Sequence, residues 1–154
     1  MDSLPNRHLT TLSLDVDFTG ILAIGATPAG HRAIATVTGG RFDGERLSGE
    51  VLPGGSDWLT TRAGGFDIDV RLPLRSDDGA NLALAYQGRF LADEATMRRF
   101  RTGEQLERQD YSVQIVAKFE CGDQRYAWLN DAIVVGIGEQ TPSGPSYAMF
   151  EIGR

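Results

Sequence analysis

The sequence predicts an all-β domain: an antiparallel barrel or strongly curved sandwich of about nine or ten short strands, with one short helix. Two patterns, and one break in them, carry that prediction. Apolar and polar residues alternate with period two through most of the chain, the mark of strands with one buried face. The 19 glycines in 154 residues lie singly or in pairs between the alternating runs, as turns and bulges use them. Only residues 93–102 leave the period.

Taken in order, the first strand is read from Leu12, Leu14 and Val16 alternating with Ser13, Asp15 and Asp17. Strands follow at 32–38, 45–52 and 57–62, with a tight connection near Gly39-Gly40 or Asp43-Gly44. The clearest run sets Phe66, Ile68, Val70, Leu72 and Leu74 against Asp67, Asp69, Arg71 and Arg75. Asp78-Gly79 joins it to a strand at 80–88, a strong hairpin signal between two alternating runs. Asp93 is the expected N-cap of a helix over 93–102, stopped by Gly103, with a further turn at 104–107. Strands at 111–119, 131–139 and 145–152 complete the set, and Asp123 is expected to cap a single helical turn before the second of these. No repeat, low-complexity tract or linker divides the chain. Residues 1–154 read as one domain, a length that buries about 70% of the unfolded surface.

Composition narrows the function. The net charge of −6, with no dense Lys/Arg patch, repels nucleic acid and anionic membranes. The opening MDSLPNRHLTTLSLDVDF has no basic region followed by an apolar core, so no signal peptide is expected. The longest apolar run is too short to cross a bilayer. Cys121 is the only cysteine, which excludes an internal disulfide and suits a reducing cytoplasm. His8 and His31 are the only histidines, so no zinc-type metal site is expected, whereas an all-oxygen site stays open. GGRFDG lacks the strand-then-long-helix context of a nucleotide loop, so no redox cofactor is implied.

Alternation also raises the question of a cavity, because larger barrels enclose ligands where smaller ones are filled. Gly136 and Gly138 share a face of 131–139, and Ala83 and Ala85 share one of 80–88. Small residues there either leave room for a ligand or admit a neighbouring backbone. Arg71, with Asp69 and Arg75, either belongs to a solvated outer face or lines a barrel mouth, where its planar fork suits a carboxylate or enolate. Asp57 and Trp58 follow the turn Pro53-Gly54-Gly55 and point to opposite faces. Asp57 is either a turn residue or a site carboxylate, and Trp58 either core or site wall. In GDQRYAWLND, Asn130 either closes a turn or offers its amide to a ligand carbonyl.

GGRFDGERLSGEVLPGGSDW, RSDDGA and FECGDQRYAWLNDAIVVGIGE together resemble the bacterial and fungal family called domain of unknown function 3237, from about residue 11 to the C-terminus. The blocks Leu52-Pro53-Gly54-Gly55-x-Asp57-Trp58 and Tyr126-x-Trp128-Leu129-Asn130 carry the likeness. The resemblance implies a single barrel of about ten strands, lipocalin-like or allene-oxide-cyclase-like, that forms a homodimer. It turns the balance for Asp57, Trp58, Trp128 and Asn130 toward a site. The chain departs from the family in YSVQIVAKFECG, where Gln114 stands in place of a common arginine, and at Leu72-Pro73, where a Tyr-Thr pair is usual. Both departures imply a less cationic, reshaped pocket.

The expected function is a cofactor-independent, metal-free lyase, isomerase or cyclase acting on a small, partly aromatic or polyketide-like molecule. Such chemistry needs an acid or base, a donor for an enolate and a dry wall. Asp57 is the candidate acid or base, its pKa raised if an indole covers it. Asn130 and Tyr111 are the candidate donors, and Lys118 or Arg71 the charge partner. Trp58, Arg71, Tyr86, Gln114 and Trp128 are the candidate ligand-binding residues. Two alternatives stand beside this: a non-catalytic barrel that carries a small apolar ligand, and a structural dimer whose tryptophans anchor the interface. An enzyme places Asp57 within reach of Tyr111, Asn130 or a ligand. A carrier keeps its carboxylates outside an apolar cavity.

Overall fold

The computed structural model describes residues 2–153. Ten strands form one antiparallel sheet: Asn6–Val16 (β1), Leu22–Thr27 (β2), Gly30–Asp43 (β3), Gly49–Val51 (β4), Gly55–Arg62 (β5), Gly65–Ser76 (β6), Asn81–Ala92 (β7), Tyr111–Cys121 (β8), Val134–Thr141 (β9) and Gly144–Ile152 (β10). Neighbours run β1-β10-β9-β8-β7-β6-β5-β3, and pairing of β3 with β1 closes an eight-stranded barrel. The other two strands extend it: β4 continues the line of β5 between β3 and β6, and β2 pairs along the first half of β3. Closure removes the edges of those eight strands, while β2 pairs with β3 alone. Among the described residues, no helix is long and apolar enough to cross a membrane.

The local signals act as expected. Gly79 takes φ 92° in the β6–β7 hairpin, at the turn that Asp78-Gly79 predicts. The Asp93 carboxylate accepts the Thr96 N–H at 2.8 Å, capping helix α1, Glu94–Arg101, and Gly103 at φ 80° ends it. Four expectations need correction. β2 is an additional strand, unexpected because LAIGAT has too few polar residues to show a two-residue period. The strand expected at 45–52 shrinks to Gly49–Val51. The turn expected at 104–107 lies instead at Arg108–Asp110. Asp123 caps the turn after it as expected, accepting the Arg125 N–H at 2.9 Å, but the 3-10 segment runs on over Gln124–Asp131 with a kink at Tyr126.

The stretch Pro53-Gly54-Gly55 is a bulge within one line of sheet, between β4 and β5. Val51 pairs with Leu74 and Asp57 with Val70, so the chain here carries two more residues than β6 over the same span. An even excess bends the strand without exchanging its inner and outer faces. Gly54 sits at φ 115°. At Gly55 a Cβ would meet the Arg71 carbonyl oxygen at 2.7 Å, so the close approach to β6 needs glycine.

The barrel interior is filled at one end only. Leu72, Leu74, Leu84 and Phe119 pack across it, and the 3-10 helix Gln124–Asp131 brings Leu129, fully buried, beneath them. Burying each such side chain contributes about 1.5–3 kcal/mol. Gly136 and Gly138 do not leave empty volume. A Cβ on Gly136 would meet Ile115 at 2.8 Å and one on Gly138 the Tyr147 ring at 2.7 Å, so large neighbours already occupy both spaces. Ala83 and Ala85 face outward.

Candidate functional site

At the other end the interior opens into a cavity of about 730 Å³. Its depth follows from the strands. Val70, Ile68 and Phe66 line it from β6, whereas Leu72 and Leu74 on the same face do not. Val70 lies four positions along the strand from Phe66, a depth of roughly 13 Å at about 3.3 Å per residue. Most of the wall is apolar, including Val37, Leu59 and Ile68, and an aromatic cluster stands near the mouth. There Phe66 stacks on Phe90 at 4.8 Å, and Phe100 of α1 lies 5.9 Å from Phe66 and 4.9 Å from Phe90.

Three polar side chains meet at the floor: Asp57 of β5, Tyr86 of β7 and Tyr147 of β10. Register brings Asp57 level with Val70, and Val70 level with Tyr86, so the acid and the first phenol are set by two successive pairings. The two tyrosine rings meet edge to face with centroids 5.2 Å apart, both fully buried in the core. Asp57 is enclosed by protein and open to the cavity. Desolvation pushes its pKa from 3.8 to about 7, although the Asp69 N–H donates to its Oδ1 at 3.1 Å and holds it down in part. The same burial raises both phenols well above their usual value, and the negative charge of Asp57 adds to it. Near neutral pH the floor therefore holds one carboxyl able to take or give a proton and two phenols that stay protonated.

The expected site residues divide by face. Asp57 and Tyr86 lie inside. Trp58 and Arg71 lie on the outer face of the same sheet, beside Ser56 and Asp69, because neighbours along a strand point opposite ways. Trp58 is 48% exposed and its Nε1–H donates to Ser56 Oγ at 3.1 Å, so it is neither core nor cavity wall. Gln114 and Lys118 also face solvent from β8, so neither departure nor charge at these positions touches the interior. Tyr111 is buried at the start of β8, stacked on Phe90 at 5.1 Å. Its hydroxyl accepts the backbone N–H of Gln140 at 2.7 Å, pinning β9 rather than lining the cavity.

The second motif sits at the closed end. The Asn130 side-chain oxygen accepts the Cys121 N–H at 2.9 Å, and its amide donates to the Cys121 carbonyl at 2.9 Å. That amide fastens the 3-10 helix to β8 and has no access to the cavity. Trp128 lies half-buried with the Arg46 guanidinium 4.6 Å from its ring centre, and Arg46 pairs with buried Glu151 at 2.8 Å. The implied grouping of Asp57, Trp58, Trp128 and Asn130 in one site is corrected: Trp128 and Asn130 lie at the closed end, which β8, 11 residues long, holds away from the open one. Tyr147 is the site residue that sequence reasoning does not find. Its signal is Gly138, its partner in register, whose missing side chain makes room for the Tyr147 ring. Among the described residues no three His, Cys, Asp or Glu side chains gather where a metal ion could be held.

The sequence and the fold have counterparts. A UPF0311 protein from Rhodopseudomonas palustris is 27% identical over 135 residues, covering 87% of each chain. The structure of a beta-barrel like protein from Acinetobacter baumannii, 28% identical, superposes with a TM-score of 0.84 over 99% of this chain and 98% of that one. An enzyme from Penicillium herquei shares the fold at a TM-score of 0.70 and 19% identity, over 97% of this chain and 94% of that one. A family model matches residues 6–152, nearly the whole of this barrel: the chain belongs to the family described as "Protein of unknown function (DUF3237)".

Proposed function

We propose that this protein is a cofactor-independent lyase, isomerase or cyclase that acts on a small apolar carbonyl compound held in the barrel. One observation carries the reading: a desolvated carboxyl stands at the floor of an apolar cavity, beside two phenols. A carrier has no use for a buried acid, which costs stability whenever it ionises. The Penicillium herquei neighbour is called an enzyme, and that likeness supports the fold as a host for catalysis, not a particular reaction.

In the ionised form Asp57 takes a proton from the carbon next to the carbonyl. The electron pair of the broken C–H bond moves onto the carbonyl oxygen, and the phenol of Tyr147, which accepts from Tyr86, donates a hydrogen bond to the resulting enolate. The raised phenol pKa values keep those donors protonated. Return of the proton from Asp57 to a different carbon isomerises the molecule. Loss of a leaving group from the β-carbon makes the reaction a lyase step, and attack of the enolate on an internal electrophile closes a ring.

The test is deuterium exchange in heavy water, followed by NMR on an enolisable aryl ketone such as tetralone. The intact protein should catalyse exchange next to the carbonyl, with a rate that rises through about pH 7. Asp57→Asn should lower that rate by about 10²–10⁴-fold. Ketone binding with no catalysed exchange would make the barrel a carrier.

A further inference from the structure

The mouth of the cavity differs in charge from its floor. The charged residues that line the cavity are Asp57, Arg101 and Glu104. Glu104 is committed, since its carboxylate pairs with Arg99 at 3.2 Å. Arg101, at the end of α1, has no acid within ion-pair distance among the described residues, on a chain whose net charge is −6. Two amides share the rim with it, Gln105 and Gln140. Neither side chain makes a hydrogen bond to the protein among the described residues, and Gln140 engages Tyr111 only through its backbone N–H. The rim therefore holds a cation and two amides whose donors are free.

Resting on the function proposed above, we infer that the substrate is a planar apolar molecule with an anionic group at the end opposite its reacting carbonyl, and that Arg101, Gln105 and Gln140 bind that group. Orientation follows from electrostatics. An anion at the floor would meet ionised Asp57 and lose its hydration, whereas at the rim it keeps water and gains Arg101. Phe66 and Phe100, stacked with centroids 5.9 Å apart, line the cavity and give it an aromatic wall that suits a planar molecule. A depth of roughly 13 Å sets the length, about that of two or three fused rings. Carboxylated or sulfonated polycyclic ketones have this shape.

Two dyes of nearly the same skeleton test it: anionic anilinonaphthalene sulfonate and uncharged N-phenylnaphthylamine, each titrated by fluorescence against the intact chain and against Arg101→Gln. The expected result is that both bind the intact chain, and that Arg101→Gln weakens the sulfonate by about two- to five-fold, as an exposed ion pair would. The uncharged dye should bind both forms alike. Added salt should shrink the difference. Arg98→Gln, on the same helix but outside the cavity lining, should change neither dye. Equal binding of the sulfonate to both forms, or an equal loss in Arg98→Gln, overturns the anion subsite while leaving the cavity as a binding site. Failure of the uncharged dye to bind, or its continued binding when Ala33→Phe fills the cavity wall of a still-folded chain, overturns the cavity reading itself.

Discussion

Asp57→Asn tests the electrostatics of the floor without needing a substrate. The carboxyl pKa rises from 3.8 to about 7 on folding, chiefly through desolvation. A shift of that size corresponds to on the order of 4 kcal/mol of unfavourable free energy when the group is ionised. The sign follows from linkage. Below pH 3.8 the carboxyl is protonated in the folded and the unfolded chain, and the acid and the amide are equivalent. Between pH 3.8 and about 7 the unfolded chain ionises while the folded chain keeps its proton, so stability falls as pH rises. Above that window the folded chain carries the full cost. Asparagine has the same shape, can still accept the Asp69 N–H and has no charge to desolvate. Asp57→Asn should therefore be more stable than the parent by about 2–4 kcal/mol near pH 8, a rise in Tm of roughly 5–15 °C, and nearly equal to it near pH 4. Paired urea denaturation curves at the two pH values measure this, and comparison of the two proteins cancels every other titrating group. A variant less stable than the parent near pH 8, or a difference that does not change with pH, would refute the desolvated carboxylate. Greater stability together with lost exchange activity is the trade-off expected where a site is held under electrostatic strain.

Three further outcomes follow from the same geometry. Trp58→Ala should lower stability in urea by less than about 1 kcal/mol, since the indole is largely exposed, and a loss of several would place it in the core. Asn130→Ala removes both hydrogen bonds to Cys121 and should cost about 1–3 kcal/mol, with uncharged-dye affinity unchanged; altered affinity would join the closed end to the site. Gly138→Ala puts a methyl group against the Tyr147 ring, and should cost about 1–3 kcal/mol and slow catalysed exchange by displacing that phenol. Unchanged exchange would remove Tyr147 from the reaction.

By itself the sequence determined what is local. A two-residue period fixes which side chains share a face, so Asp57 opposite Trp58, and Val70 opposite Arg71, follow from the order of residues alone. Turn and cap chemistry likewise acts over a few residues, and Asp78-Gly79 and Asp93 do what such residues do anywhere. β2 is not legible in this way, because an apolar run with little polar alternation leaves no period to read. Which face points inward is not local: it depends on the pairing of β3 with β1 that closes the barrel. Closure turned Gln114 and Lys118 to solvent and Asp57 to the interior, although each stands on a strand with the same kind of alternation. Distance along the strands then decided the rest. Asn130 and Asp57 belong to motifs that read alike, but β8 carries one to the closed end while the bulge at Gly54-Gly55 brings the other to the cavity floor. Asp57, Tyr86 and Tyr147 lie far apart in the chain, and meet because β5, β7 and β10 turn their inner faces to the same level of one closed barrel. No local rule could bring them together: pairing of β5, β6 and β7 aligns Asp57 with Tyr86, and Tyr147 joins them only once the last strand, β10, has paired.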